Sequence, residues 1–147
     1  MGNFLNFLEL LSLTLWMGSV MFLSFVVAPT LFGVLGDTAG KAVRAIFPKY
    51  YLLGAVCGIV LAGVQISRGV LWYWGGMIKP SIVLFSLLAL IQIYARQVLT
   101  PAINASRDAG AGQKARFGAL HRRSVMLNGF TMFFLLLYLV WMALRGY

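Results

Sequence analysis

Residues 124–144 read SVMLNGFTMFFLLLYLVWMAL and contain no charged side chain. A helix needs about 20 predominantly apolar residues to cross about 30 Å of hydrocarbon, and this run has that length. Three other stretches match it. Residues 4–32 carry one charge, Glu9; residues 50–67 carry none; residues 80–99 carry Arg96 near their end. In hydrocarbon a backbone must satisfy its own hydrogen bonds, so such runs fold as helices, and the alternation of a membrane β-barrel is absent. The expected fold is all-α: an integral membrane four-helix bundle in one domain covering residues 1–147, with spans near 4–32, 50–67, 80–99 and 124–144.

Composition points the same way. Of 147 residues, 61% are hydrophobic and 10% charged, and the mean hydropathy is +0.90. Soluble domains are about 45–50% apolar and about 25% charged. The net charge of +9 comes from 12 Lys and Arg against 3 acids. The basic residues stand at the ends of the apolar runs and form no stripe with interleaved stacking aromatics, so they are read as membrane topology and not as a nucleic-acid interface. The lone cysteine, Cys57, has no partner for an internal disulfide. The start lacks both a basic region and a myristoylation pattern, so the first apolar run is expected to stay as an anchor.

The connections sort by charge. Lys41, Arg44, Lys49, Arg96, Arg107, Lys114, Arg116, Arg122 and Arg123 belong to the first and third connections with their flanks; Arg68, Lys79 and Arg145 lie on the opposite side. Basic loops remain cytoplasmic. The expectation is a bacterial cytoplasmic (inner) membrane with both termini facing outward. In the first connection Asp37 and Thr38 can cap a short helix ending before Pro48. There Ala39, Val43, Ile46 and Phe47 share one face and Lys41 and Arg44 the other, which predicts a cytoplasmic amphipathic helix lying among lipid headgroups. Trp72, Tyr73 and Trp74 in the second connection have the character of an interfacial aromatic belt. The third connection, residues 100–123, has a turn sequence at 108–112 between helical extensions.

Few residues carry chemistry. His121, the one histidine, starts a line with Ser124 and Asn128 at i, i+3, i+7 on one helix face, and such groups turn away from lipid. They form either a ligand or transport site at the cytoplasmic mouth or a hydrogen-bonded cluster that fixes packing together with Asn104. Glu9, the only acid within a span, must pair or take up a proton. Arg68, Lys79 and Arg145 are the cations on its side, and Glu9 with Arg68 is the candidate outer ion pair. Gly54, Gly58 and Ala62 recur at every fourth position and let another helix approach closely, within the chain or in a dimer. Met17, Met21, Met126, Met132 and Met142 are soft donors suited to copper, though Met is also common apolar filler. His121 with a Met could ligate haem. No phosphate loop, metalloprotease motif, nucleophile elbow or carboxylate pair occurs, so no catalytic residue and no metal site is assigned and an enzyme is not expected.

Four blocks carry a family resemblance: Trp16-Met17-Gly18 followed by Phe22, Phe25, Val26 and Phe32; Phe47-Pro48-Lys49-Tyr50-Tyr51; Tyr94-Ala95-Arg96 with Pro101 and Asn104; and His121, Ser124 and Leu127-Asn128. On these the chain resembles the transmembrane-protein-205-like family. The resemblance implies four spans and a domain of unknown function whose animal members are linked to resistance to platinum drugs. It also implies a distant similarity to copper-resistance membrane proteins and to the small haem-pathway membrane oxidases, which use several histidines. The family's recurring polar residues fall on Arg96, Asn104, His121, Ser124 and Asn128. The functional expectation is a non-enzymatic transporter-like or accessory membrane component without a cofactor, whose candidate binding cluster is those five residues. The alternatives are a structural subunit of a larger membrane complex, or a haem- or copper-binding protein. The expected partners are the bilayer and, beyond it, a larger complex or a second copy.

Overall fold

The computed structural model describes residues 1–145; the side chains of Asp37 and Arg145 lie outside that description. Four long helices account for nearly all of it, with no strand among the described residues. Helix α1 is Gly2–Leu35, α2 is Ala39–Leu71 and α3 is Ile78–Asp108. Helix α4, Lys114–Arg145, follows a 3-10 turn at Ala111–Gln113. All four are long and apolar enough to cross a membrane. Each extends beyond the apolar run that announced it, because the polar flanks continue the helix outside the span.

The connections are tight, so consecutive helices are antiparallel neighbours. Gly36 (φ +48°) and Gly110 (φ +74°) take positive dihedrals at the two turns of one end, a conformation that costs a side-chain-bearing residue about 1–2 kcal/mol. That end carries Arg44, Arg107, Lys114 and Arg122 and is termed the basic end; the other carries Trp72, Tyr73 and Trp74 and is termed the aromatic end. The helix order runs round the bundle, which sets α2 diagonally opposite α4. Helix α2 is the central element: 56% of its most apolar window is buried, against 22% for α4.

Small residues make α2 central. A Cβ on Gly58 would stand 2.9 Å from Ala89 Cβ and 3.0 Å from Trp16 Cη2. One on Gly54 would meet Trp16 Nε1 at 2.8 Å and Gln92 Oε1 at 2.9 Å. The Gly54, Gly58 and Ala62 row thus seats α2 against α1 and α3 of its own chain. Fully buried Leu13, Trp16, Leu61, Phe85, Leu88 and Leu135 close the middle of the bundle. Outward faces are apolar and uncovered, with Phe4, Phe22, Phe25, Val83, Leu90 and Phe133 all exposed. In water such a surface would be untenable; against lipid it is the ordinary exterior.

The first connection differs from expectation. Residues 39–47 are not a separate amphipathic helix ending before Pro48; they are the opening turns of α2, which runs on through Pro48. Ala39 and Val43 are buried, Ile46 and Phe47 half-buried, and Lys41 and Arg44 exposed. The face is amphipathic as read, but the apolar stripe lies on the lower part of α3 and not in a headgroup layer. An Arg44–Asp108 ion pair and a hydrogen bond from Arg107 Nη1 to Gly40 O (3.3 Å) tie the two extensions together. Thr38 does not cap forward; its Oγ1 donates back to Leu35 O at 2.7 Å. The capping role of Asp37 lies outside the described residues.

Two helices widen before a proline. In α1 a π-helical turn covers Leu23–Val27, and Ala28 N–H donates to Leu23 O, five residues back. In α3 the π turn is Ala95–Leu99, and Thr100 N–H donates to Ala95 O. Pro29 and Pro101 follow directly. A proline ring lacks the N–H and crowds the carbonyl four residues earlier, and a π turn relieves that crowding without breaking the helix. Thr100 Oγ1 adds a second hydrogen bond to Ala95 O at 2.8 Å.

Candidate functional site

Polar side chains in the interior fall into three layers. Nearest the aromatic end, Glu9 is almost fully buried. Its Oε1 accepts from Gln65 Nε2 and Tyr138 OH, each at 2.7 Å. Its Oε2 lies 2.7 Å from Arg68 Nη2, and that guanidinium also donates to Asn6 Oδ1 at 2.7 Å. Gln65 Nε2 reaches Tyr138 OH as well, at 2.9 Å. The carboxylate is compensated in charge and in hydrogen bonds, which is what burial of an ion requires. Arg68 is therefore placed beside Glu9; of the other two cations considered, Arg145 lies outside the described side chains. The layer links α1, α2 and α4.

The middle layer is Trp16, Gln92 and Thr131, all fully buried. Gln92 Nε2 donates to Thr131 Oγ1 at 3.1 Å, and Thr131 Oγ1 donates to Leu127 O at 2.9 Å. Trp16 Nε1 and Gln92 Oε1 have no hydrogen-bond partner among the described residues, although both face the bare Cα of Gly54.

The layer toward the basic end holds the residues singled out in α4. Ser124 Oγ is 2.8 Å from Tyr51 OH. Asn128 Oδ1 accepts from Tyr50 OH at 3.2 Å. The two tyrosines reach across the bundle diagonal, so side chains, not backbones, join α2 to α4 here. One turn before Ser124, His121 stacks on Phe117 (5.9 Å between centroids, 5° between planes). The guanidinium of Arg107 sits over the Phe117 ring, 5.0 Å from its centroid.

His121, Ser124 and Asn128 form one wall of a groove of about 460 Å³ between α1 and α4. The opposite wall is the widened part of α1: Leu23, Ser24, Phe25, Ala28, Pro29 and Phe32. The π turn of α1, Leu23–Val27, contributes Leu23, Ser24 and Phe25 to that wall. A second cavity, at the basic end, is lined by Arg107, Lys114, Ser106 and Phe117 and shares Phe32 with the groove.

Arg96 and Asn104 do not line the groove. Arg96 lies in the π turn of α3, where its Nε is buried with no hydrogen-bond partner among the described residues, and Asn104 is half-buried on the extension of α3. Sequence reasoning grouped all five residues through the resemblance; the fold brings three of them together. It missed Tyr50 and Tyr51, which hold two of those three, and Thr131 and Tyr138, which continue the same face of α4. Spacing held the signal for the latter pair: 121, 124, 128 and 131 follow three- and four-residue steps, and 138 lies seven residues, about two turns, further along the same stripe.

No group of three or more His, Cys, Asp or Glu side chains converges among the described residues. Haem or copper would need a second strong donor near His121. The groove offers Met132 and hydroxyl and amide groups, while Cys57 is buried in α2. The groove lining thus holds one imidazole and one thioether, His121 and Met132.

Residues 11–112 match the family described as Domain of unknown function (DUF4149). The chain belongs to this family. An "Uncharacterized protein" of Aquifex aeolicus (strain VF5) is 48% identical over 63 residues, which are 42% of this chain and 43% of that protein. The match thus spans less than half the length of that curated relative. No solved structure matches. The DUF4149 match ends before α4, so His121, Ser124 and Asn128 lie beyond the family segment, while α1 with its π turn and Tyr50 and Tyr51 lie within it.

Proposed function

We propose that this DUF4149 protein is a non-enzymatic membrane component, transporter-like or accessory in kind, that takes up a lipid-like amphiphile sideways through the groove between α1 and α4. The observation that carries the reading is the groove's two-faced lining: an apolar wall from α1 against His121, Ser124 and Asn128 from α4, beside helix faces suited to lipid. A chain of CH₂ groups gains about 0.8 kcal/mol for each one buried, and a few fixed polar groups orient the ligand. The described groove lining holds no carboxylate or thiol that could act with His121, and Ser124 is engaged with Tyr51, which supports a binding role over catalysis.

The charge bias supports an orientation with the basic end in the cytoplasm and both termini outside, as in a bacterial inner membrane. The four sequence blocks favour the transmembrane-protein-205-like family as the finer placement. The plugged interior, with Leu13, Leu61, Phe85 and Leu135 fully buried between the polar layers, favours a lateral site over a pore through one chain.

Gly129 supplies the test. It lines the groove, and a Cβ there would meet nothing within 4 Å. Gly129→Trp fills the groove without disturbing the core. A diazirine-bearing fatty acyl probe should crosslink to the segments around Phe25 and Val125 in the parent protein and lose that labelling in the variant. Labelling spread evenly over the exposed helix faces, or unchanged by the tryptophan, sinks the reading.

A further inference from the structure

A second cavity lies next to the groove. It has about 680 Å³ and sits at the basic end. Two links join it to the groove: Phe32 lines both, and Phe117 of the cavity stacks on His121 of the groove. Its described lining holds two cations, Arg107 and Lys114, and no carboxylate. Asp108, the nearby acid of α3, is engaged by Arg44.

Arg107 is held in place. One guanidinium nitrogen donates to Gly40 O at 3.3 Å, and the plane lies on Phe117 at 5.0 Å. Gly40 has no side chain to displace it; a Cβ there would stand 2.7 Å from Arg107 Nη1. A guanidinium has five N–H donors, so one backbone bond leaves most of them for a ligand. Packing on both sides removes much of the entropy that a free arginine loses on binding. A fixed guanidinium beside an ammonium is the donor set for a phosphodiester, the first by paired N–H···O bonds and the second as a point charge.

We propose that the cavity binds the phosphate of an anionic glycerophospholipid drawn from the surrounding leaflet, with Arg107 and Lys114 as its ligands and one acyl chain lying in the groove. The inference deepens the groove reading and rests on it. A basic cavity next to an apolar groove, with Phe32 lining both, is what selects a lipid over a free phosphate: the two compartments match the two halves of one molecule.

The test uses the full chain in nanodiscs of dioleoylphosphatidylcholine doped with dioleoylphosphatidylglycerol, with retained lipid read by native mass spectrometry. Phosphatidylglycerol should be retained in preference to phosphatidylcholine. Lys114→Gln and Arg107→Gln should each weaken that preference about fivefold, the effect of one cation near a phosphate head. Arg107 also packs on Phe117, so Lys114→Gln keeps the proposal falsifiable if the arginine variant fails to fold. Arg116→Gln and Arg122→Gln, exposed at the same end, should leave the preference unchanged; an equal drop there means general surface attraction and overturns the site. Inorganic phosphate should not displace the lipid, and displacement overturns it. Both lipids retained equally, and both expelled by Gly129→Trp, sinks the head-group site while the groove stands. Neither lipid responding to Gly129→Trp sinks both.

Discussion

Glu9 shows what one charged side chain does inside this bundle. Its two oxygens are shared among Arg68, Gln65 and Tyr138, so three helices converge on one carboxylate. Removing one member of a buried pair leaves the other uncompensated, at a cost of about 3–5 kcal/mol. Glu9→Gln should therefore lower the thermal midpoint in detergent clearly, because it keeps the shape and deletes the charge facing Arg68. Glu9→Gln with Arg68→Leu should recover part of the loss, since neither charge remains buried. A single variant as stable as the parent would show that the pair is neutralised in some other way. Gly54 and Gly58 give a second prediction at this scale. Gly58→Leu forces a side chain into Ala89 and Trp16 and should cost about 1–3 kcal/mol by overpacking. Gly63, on the same helix with nothing within 4 Å of its Cβ, should accept leucine with little change. Equal tolerance at both sites would contradict the packing of α2 against its own chain.

At the scale of the element, much was legible because hydrocarbon imposes a severe rule. A run such as 124–144 can only be a helix, and all four helices follow from that. Less legible was what an amphipathic face meets. Ala39, Val43, Ile46 and Phe47 make the same stripe whether they lie on headgroups or on α3, and periodicity carries no information about the partner. Pro48 was read as a stop because proline disfavours the helix interior, yet tertiary packing of the extension carried α2 through it. Tyr50 and Tyr51 read as aromatic bulk; that their hydroxyls cross the diagonal to Asn128 and Ser124 depends on the register of two helices, which local sequence does not contain. The π turns were equally invisible, although each precedes a proline. They suggest their own experiment. With Pro29→Ala the N–H returns and α1 can close its ladder, which draws Phe25 and Phe32 toward α4. The expected outcome is a narrower groove, read as a severalfold loss of acyl-probe crosslinking at an unchanged thermal midpoint. Undiminished crosslinking would mean that the π turn does not set the groove.

For the whole molecule the decisive property is the asymmetry of its two ends. The basic end gathers Arg44, Arg107, Lys114 and Arg122 around two tight turns; the aromatic end carries Trp72, Tyr73 and Trp74, with Arg68 tied to Glu9 and Asn6. Lys and Arg in short loops near the span ends resist translocation, whereas acids contribute little. Arg68, already neutralised within the bundle, should weigh even less than its formal charge, so the bias toward a cytoplasmic basic end is steeper than a residue count implies. A cysteine placed at Ala111, in a background where buried Cys57 is replaced by alanine, should react with a membrane-impermeant maleimide only after the cytoplasmic side is opened, and one placed at Gly75 should react in intact cells. Neutralising Lys114, Arg116, Arg122 and Arg123 together should weaken the bias and yield a mixed population. Labelling of Ala111→Cys from outside in the otherwise unaltered chain would invert the orientation, and with it the leaflet from which the basic cavity could draw its lipid.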